Sequence, residues 1–193
     1  MPKNYLALPP NQVRRSDRAM DDAWIVELLH RAGHGALATV HEGQPFINTN
    51  LFVYDEAGHV IYLHTGRYGR TRSNVEEYER VCFSVSEIGR LLPADEALEF
   101  SVEYAGVAVF GTSHIVEGEE AAHALQLLLD KYAPHLKPGR DYRPVTLEEL
   151  KRTSVFRIEI ESWSGKRKQA EPDFPGAFFY GQHPDEPDQN HAS

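Results

Sequence analysis

The segment SVFRIEIES, residues 154–162, alternates without a break: Phe156, Ile158 and Ile160 fall on one side, Arg157, Glu159 and Glu161 on the other. A side-chain period of two fits a strand with one face on a core and one in water, and it does not fit a helix. Similar signals recur upstream. GALATV and PFINTNLFVYD flank HEGQ, whose glycine can supply a hairpin turn, and DEAG separates the second strand from HVIYLHT. RVCFSVSE reads as a further strand. EFSVEYAGVAVFGTSHIVEG reads as one long bent strand or two shorter ones, with Gly106 and Gly111 marking bulges or close backbone contacts.

Helical periodicity is confined to inserts. Trp24, Ile25, Leu28 and Leu29 share a face between Asp21 and Arg31, with Asp21 and Asp22 placed to cap, and Gly33 and Gly35 end the helix. A short helix is expected near Arg70–Tyr78 and an amphipathic one over Glu119–Tyr132, stopped by Pro134; Thr146 with Glu149 makes a capping box. Roughly six strands with helical inserts define a mainly β fold, an antiparallel barrel or sandwich with accessory helices.

With 193 residues, 41% hydrophobic and 25% charged, the chain is expected to form one globular domain over residues 18–168. Residues 1–17 read as an irregular N-terminal arm. Residues 169–193 read as a C-terminal extension whose end, HPDEPDQNHAS, is expected to be disordered. The net charge of −9 argues against a nucleic-acid groove, which needs cations to displace counterions from phosphates. Cys82, the single cysteine, excludes an internal disulfide and a CxxC motif. No signal-peptide pattern and no run near the ~18 apolar residues of a membrane helix occur, so a cytoplasmic protein without membrane partners is expected.

Charge is unevenly spread. Between Ala57 and Val75 there is no acid, yet Arg67, Arg70, Arg72, His59 and His64 lie there. This island, HTGRYGRTRSNV, follows a strand and opens a helix, where free backbone amides and the helix dipole favour an anion. Arginine forks match phosphate oxygens, Thr71 and Ser73 add hydroxyls, and Gly66 and Gly69 let the backbone turn tightly. The competing reading is a solvated loop whose arginines pair with Glu76, Glu77 and Glu79. His64, at the strand end, either touches a ligand bound there or is a hydrogen-bonded strand-terminal histidine.

A second basic run, WSGKRK, spans Trp163–Lys168. Trp163 either stacks on a planar ligand or an adjacent subunit, with Lys166 and Arg167 on an anion, or belongs to the core, with the charge run in solvent. No metal site is expected: HExxH is missing, and His30 and His34 straddle a helix end. His59 and His64 have opposite strand parity. GxGxxG after a strand, GxxxxGK[ST] and GxSxG are also missing, and Cys82, within VCFSV, reads as a small core residue.

In order along the chain, GALATV–PFINTNLFVYD, IYLHTGRYGRTRSNVEEYERVCFSVSEIG, VEYAGVAVFGTSHIVEGEEAAHALQLLLDKY and SVFRIEIESWSGKR resemble the pyridoxamine 5′-phosphate oxidase superfamily, within it the nitroimidazole-resistance (Nim-type) branch. The resemblance implies an antiparallel six-stranded split β-barrel of the FMN-binding type. It also implies a homodimer with FMN in clefts at the interface, and an oxidoreductase that reduces small planar or nitro-aromatic compounds with a nicotinamide donor. By the same resemblance the flavin ring edge lies along Thr49, Asn50 and Leu51. The phosphate is gripped by Arg70 and Thr71, assisted by Gly69 and Arg72 with Thr65 nearby. His64 lies beside the ring as the catalytic group, and Trp163 and Lys166 close over the cleft. The oxidase signature for pyridoxal phosphate is not recognisable, and Thr71 stands where relatives often have lysine. Some relatives bind haem or a deazaflavin. The alternatives are therefore a haem-binding or haem-degrading barrel with His64 or His114 as axial ligand, and a flavin-binding stress or carrier protein without turnover.

Overall fold

The computed structural model describes residues 4–182. The expected disorder of HPDEPDQNHAS lies outside the described residues. Strands β1 (Ala19–Met20), β2 (Gly35–His41), β3 (Gln44–Asn50), β4 (Phe52–Asp55), β5 (Val60–Gly66), β6 (Arg80–Leu92), β7 (Ser101–Val116) and β8 (Thr153–Lys168) form one antiparallel sheet. Among the described residues four α-helices accompany them: α1 (Asp22–Arg31), α2 (Arg70–Glu77), α3 (Gly118–Tyr132) and α4 (Leu147–Leu150).

The strand order is β3-β2-β6-β7-β8-β5-β4, with β1 added to β8. Strands β3 and β4 are the two ends of that order, yet only Leu51 separates them in the chain. A sheet whose opposite edges are joined by one residue must roll up, which makes this a split barrel. The expected six strands become eight for two reasons. PFINTNLFVYD breaks at Leu51 to serve both edges, and β1 is too short to leave a pattern.

Local chemistry explains the turns. Glu42 and Gly43 take φ of 49° and 78°, the left-handed pair that suits a two-residue hairpin between β2 and β3. Asp21 caps α1, its Oδ1 accepting from Trp24 N at 2.9 Å, and Thr146 and Glu149 form the capping box of α4. Segment 101–116 is one strand, bent where the register with β8 shifts between Phe110 and Gly111. A Cβ on Gly111 would lie 1.8 Å from Glu159 O. Gly106 meets nothing closer than 3.5 Å and marks no bulge.

Helix α1 packs Ile25, Leu28 and Leu29 against Leu37, Phe52, Phe83, Phe156 and Ile158 in the main core. A second core, including Val53, Tyr62 and Val155, lies under Ala121, Ala124 and Leu128 of α3. Strand β5 feeds both, Ile61 and Leu63 the first, Val60 and Tyr62 the second, so HVIYLHT shows no alternation.

Candidate functional site

Strand β5 runs out through His64, Thr65 and Gly66 into the loop that opens α2. Ser154 fixes this loop from β8. Its Oγ donates to Arg67 O at 3.1 Å and accepts from Arg72 Nη1 at 2.9 Å, while Arg67 N donates to Arg152 O at 3.0 Å. Gly69 precedes the helix at φ 155°, ψ 169°, outside the regions comfortable for other residues. The first helical bond is Ser73 N to Gly69 O, so the amides of Arg70, Thr71 and Arg72 are left over, and no side chain caps them.

Arg70 and Thr71, the first two of these, border a cavity of about 390 Å³ lined also by Thr39, Phe46, Asn48 and Thr65. The pairing with Glu76, Glu77 or Glu79 expected of a solvated loop is found for one of the three arginines, Arg72, while Arg67 pairs with a different carboxylate. Arg72 pairs with Glu76 at 2.7 Å, and Arg67 with Glu117 at 3.3 Å. Arg70 has no carboxylate partner among the described residues; its guanidinium lies 5.1 Å from the centroid of Phe46. Arg72 thus contributes a backbone amide to the helix start and a structural side chain, with its guanidinium directed at Ser154 and Glu76. Hydroxyls differ too. Thr65 donates to Gly66 O and Ser73 to Gly69 O, whereas Thr71 Oγ1 accepts from Asn48 Nδ2 at 3.1 Å.

Strand β3 ends the sheet order, so one row of its backbone groups has no strand partner. Thr49 and Leu51 are exposed along it, and Asn50 Nδ2 donates to Asn48 O at 3.2 Å. The last pair between β4 and β5 is Phe52 with Leu63, and the next step along that register sets Leu51 against His64. His64 is exposed by area, yet enough protein surrounds the ring for desolvation to push its pKa below the ordinary value. The open end of β3 and His64 thus lie together at the seam of the barrel, and Thr65, the next residue, lines the cavity.

Trp163 and Lys166 do not join them. The Trp163 indole donates to Asp22 Oδ1 at 2.8 Å, and its ring lies 4.7 Å from His59 and packs on the main core. The core reading of this residue is the one seen within the chain. Lys166 sits over the Tyr104 ring at 5.2 Å and lines a different cavity of about 420 Å³, floored by Ser84, Gly106, Ala108 and Ser164 and bordered by Arg14 of the arm. Ser154 pairs with Thr65, and Lys166 lies twelve residues further on, about 40 Å of strand contour. The site residues expected from sequence fall into two groups, at opposite ends of β8.

Thr39, Phe46, Asn48 and Tyr68 of the cavity lining were not singled out beforehand, nor was Ser154, which holds the loop. Strand parity carried a signal for two of them, since Phe46, Asn48 and Asn50 alternate along PFINTN and share the half-buried face. His114 lies in another groove, of about 820 Å³, with Glu76, Glu77, Glu79 and Glu117. Its lining carries four carboxylates against two arginines, Arg72 and Arg80, each already paired with a carboxylate, a poor match for a haem whose propionates need cations. Among the described residues no group of three or more His, Cys, Asp or Glu could hold a metal ion, and no helix is long and apolar enough to cross a membrane.

A rolled antiparallel sheet with a donor-lined cavity at its seam defines the class of split-barrel proteins. The sequence model of the pyridoxamine 5′-phosphate oxidase family matches residues 21–167, and the chain belongs to that family. Among solved structures it is similar to the FAD and haem binding protein from Mycobacterium smegmatis, with 23% identity, TM-score 0.70, and coverage of 79% of this chain and 74% of that one. It is also similar to the flavocytochrome Anf3 from Azotobacter vinelandii, with 24% identity, TM-score 0.70, and coverage of 94% and 89%. A candidate 5-nitroimidazole antibiotic resistance protein from Bacteroides thetaiotaomicron shares the fold at 20% identity and TM-score 0.63, covering 77% and 86%. No curated protein matches the chain.

Proposed function

We propose that the protein is an FMN-dependent oxidoreductase that reduces small planar or nitro-aromatic compounds with electrons from a nicotinamide donor. One observation carries this reading. The start of α2 with its uncapped amides, the Arg70 guanidinium and residues 46–48 of the open-edged strand β3 border a single cleft, lined also by Thr65, the residue after His64. A nucleotide phosphate fits the first two, and the heteroatom edge of a flavin fits backbone groups lacking a strand partner. Bound flavin would supply hydride transfer. The protein's part is to hold it, with Arg70 and Thr71 on the phosphate and Thr49, Asn50 and Leu51 along the ring. His64, neutral at pH 7 because burial lowers its pKa, gives or accepts a hydrogen bond at the substrate. The family membership and the relatives named for FAD binding support a flavin.

The working unit is a homodimer with a cleft on each side of its interface. Across the outer face of five strands, the registers align Thr49, Ala36, Ser84, Ala108 and Ser164 in one row and Ile47, Ala38, Cys82, Phe110 and Ser162 in the next. These are mostly small side chains, with Ile47 among them 74% exposed. A second barrel on this face would carry the partner's Lys166 towards the seam, reuniting the two groups of residues.

Two solved relatives named for haem as well as flavin, together with the exposed His64, favour a second reading as a haem-binding barrel. Steady-state turnover decides the activity. Purified protein supplied with FMN, NADH or NADPH and a nitro-aromatic acceptor is expected to oxidise the nicotinamide only when all are present. Bound flavin without such turnover would make the protein a flavin carrier, and a Soret band in its spectrum would establish the haem reading instead.

A further inference from the structure

The cavity of about 420 Å³ beside Lys166 has a floor set by strand register. Gly106 lies between Ser86 and Lys166, and Ala108 between Ser84 and Ser164. Glycine weakens a strand interior, and packing does not demand one at 106, where a Cβ would meet only Val85 O, at 3.5 Å. A side chain there would instead project into the cavity, which Gly106 keeps open.

The N-terminal arm is fastened on both sides of this notch. Asn11 Nδ2 donates to Trp163 O at 3.2 Å, and Ala19 pairs with Lys166. Between these anchors Arg14 lines the cavity, and Arg18 Nη1 donates to Tyr104 Oη at 3.2 Å. The arm thus adds two cations to Lys166, whose ammonium lies over the Tyr104 ring. The nearby carboxylates are already paired: Glu87 of the lining with Arg31 at 2.8 Å, and Asp17 with Arg15 at 2.6 Å, leaving Asp17 3.9 Å from Arg18. Arg14 and Lys166 have no carboxylate partner among the described residues. Tyr104 registers the resulting field. Burial pushes its pKa up, yet the Arg18 guanidinium and the Lys166 ammonium outweigh that and hold the phenol below its ordinary value. Negative charge is therefore favoured here, in a chain whose net charge is −9.

A volume of about 420 Å³ is near the lower end of the roughly 300–1,000 Å³ of ligand sites, room for one substituted ring and not for a dinucleotide. Resting on the oxidoreductase reading, in which a dimer carries this face to the seam of the second barrel, we infer that the cavity binds an anionic group of the acceptor substrate. That substrate is a planar compound bearing a carboxylate or a phosphate, held by Arg14, Arg18 and Lys166 beside the Tyr104 ring.

The test is the selectivity of turnover by the full-length protein loaded with FMN and supplied with NADH or NADPH. The acceptors are 4-nitrobenzoate, 4-nitrophenyl phosphate and the uncharged 4-nitrobenzamide, and the proteins are the wild type, Arg14→Gln and Arg18→Gln. The readout is the ratio of kcat/KM for each anion to that for the amide, which cancels differences in folding and flavin content. The wild type is expected to favour one anion about tenfold or more, which identifies carboxylate or phosphate, and each substitution to lower that ratio about tenfold through KM. A wild-type ratio near one, or an unchanged ratio in either variant, would overturn the assignment and leave the oxidoreductase reading standing. So would a rise in KM for the nicotinamide alone, which would give these cations to the donor. Bound flavin without turnover of any of the three acceptors would overturn it together with the oxidoreductase reading.

Discussion

Lys131 holds a half-buried charge between two helices. Its ammonium lies 3.8 Å from the centroid of Phe52 and donates to Leu29 O at 3.2 Å, tying the end of α3 to the end of α1. Burial lowers its pKa from 10.5 to about 8, because the charged form loses hydration that the ring face and one carbonyl only partly replace. The unfolded chain therefore binds more protons between about pH 8 and 10.5, and stability rises with pH across that window. Below pH 8 the penalty is fully present. Urea unfolding of the wild type is expected to show this rise, and Lys131→Met is expected to abolish it; a flat wild-type profile would contradict the burial argument. Beside it, Tyr132 Oη accepts from Phe52 N at 3.1 Å and lies 3.0 Å from Phe52 O, so a side chain takes the place of a strand neighbour at the seam.

At the scale of elements, much of the architecture was legible and the reason is periodicity. The alternation in SVFRIEIES and the capping signals at Asp21 and Thr146 are local, and they appear as β8, α1 and α4. The break at Leu51 was not legible, because it depends on which sheet edges meet, a long-range fact without a local pattern. Much the same divides the site. Gly69, Arg70 and Thr71 stand out by type and spacing, whereas Thr39 and Asn48 acquire a role only through contacts from other elements. Gly111 was legible, for a reason now visible. A methyl there would overlap Glu159 O, so Gly111→Ala is expected to separate β7 from β8 and to cost about 3 kcal/mol or more in chemical denaturation. A loss under about 0.5 kcal/mol would mean the bulge relaxes freely.

For the molecule as a whole, the division of Arg70 and Lys166 between two cavities at opposite ends of β8 is the main reason to expect a dimer. Ala36→Glu places a charge in the centre of the small-residue face while leaving the core untouched. Analytical ultracentrifugation is expected to find the wild type as a dimer and this variant as a folded monomer with weaker FMN binding. A monomeric wild type would remove the dimer.

The proposed activity requires the cleft at the seam to hold a flavin phosphate. The measurement that tests it most directly is the absorbance spectrum of the purified protein, before and after titration with FMN and removal of free ligand. Oxidised-flavin bands at about one flavin per chain, reduced in the variant Arg70→Ala, are the predicted result. A colourless protein that retains no added FMN would contradict it.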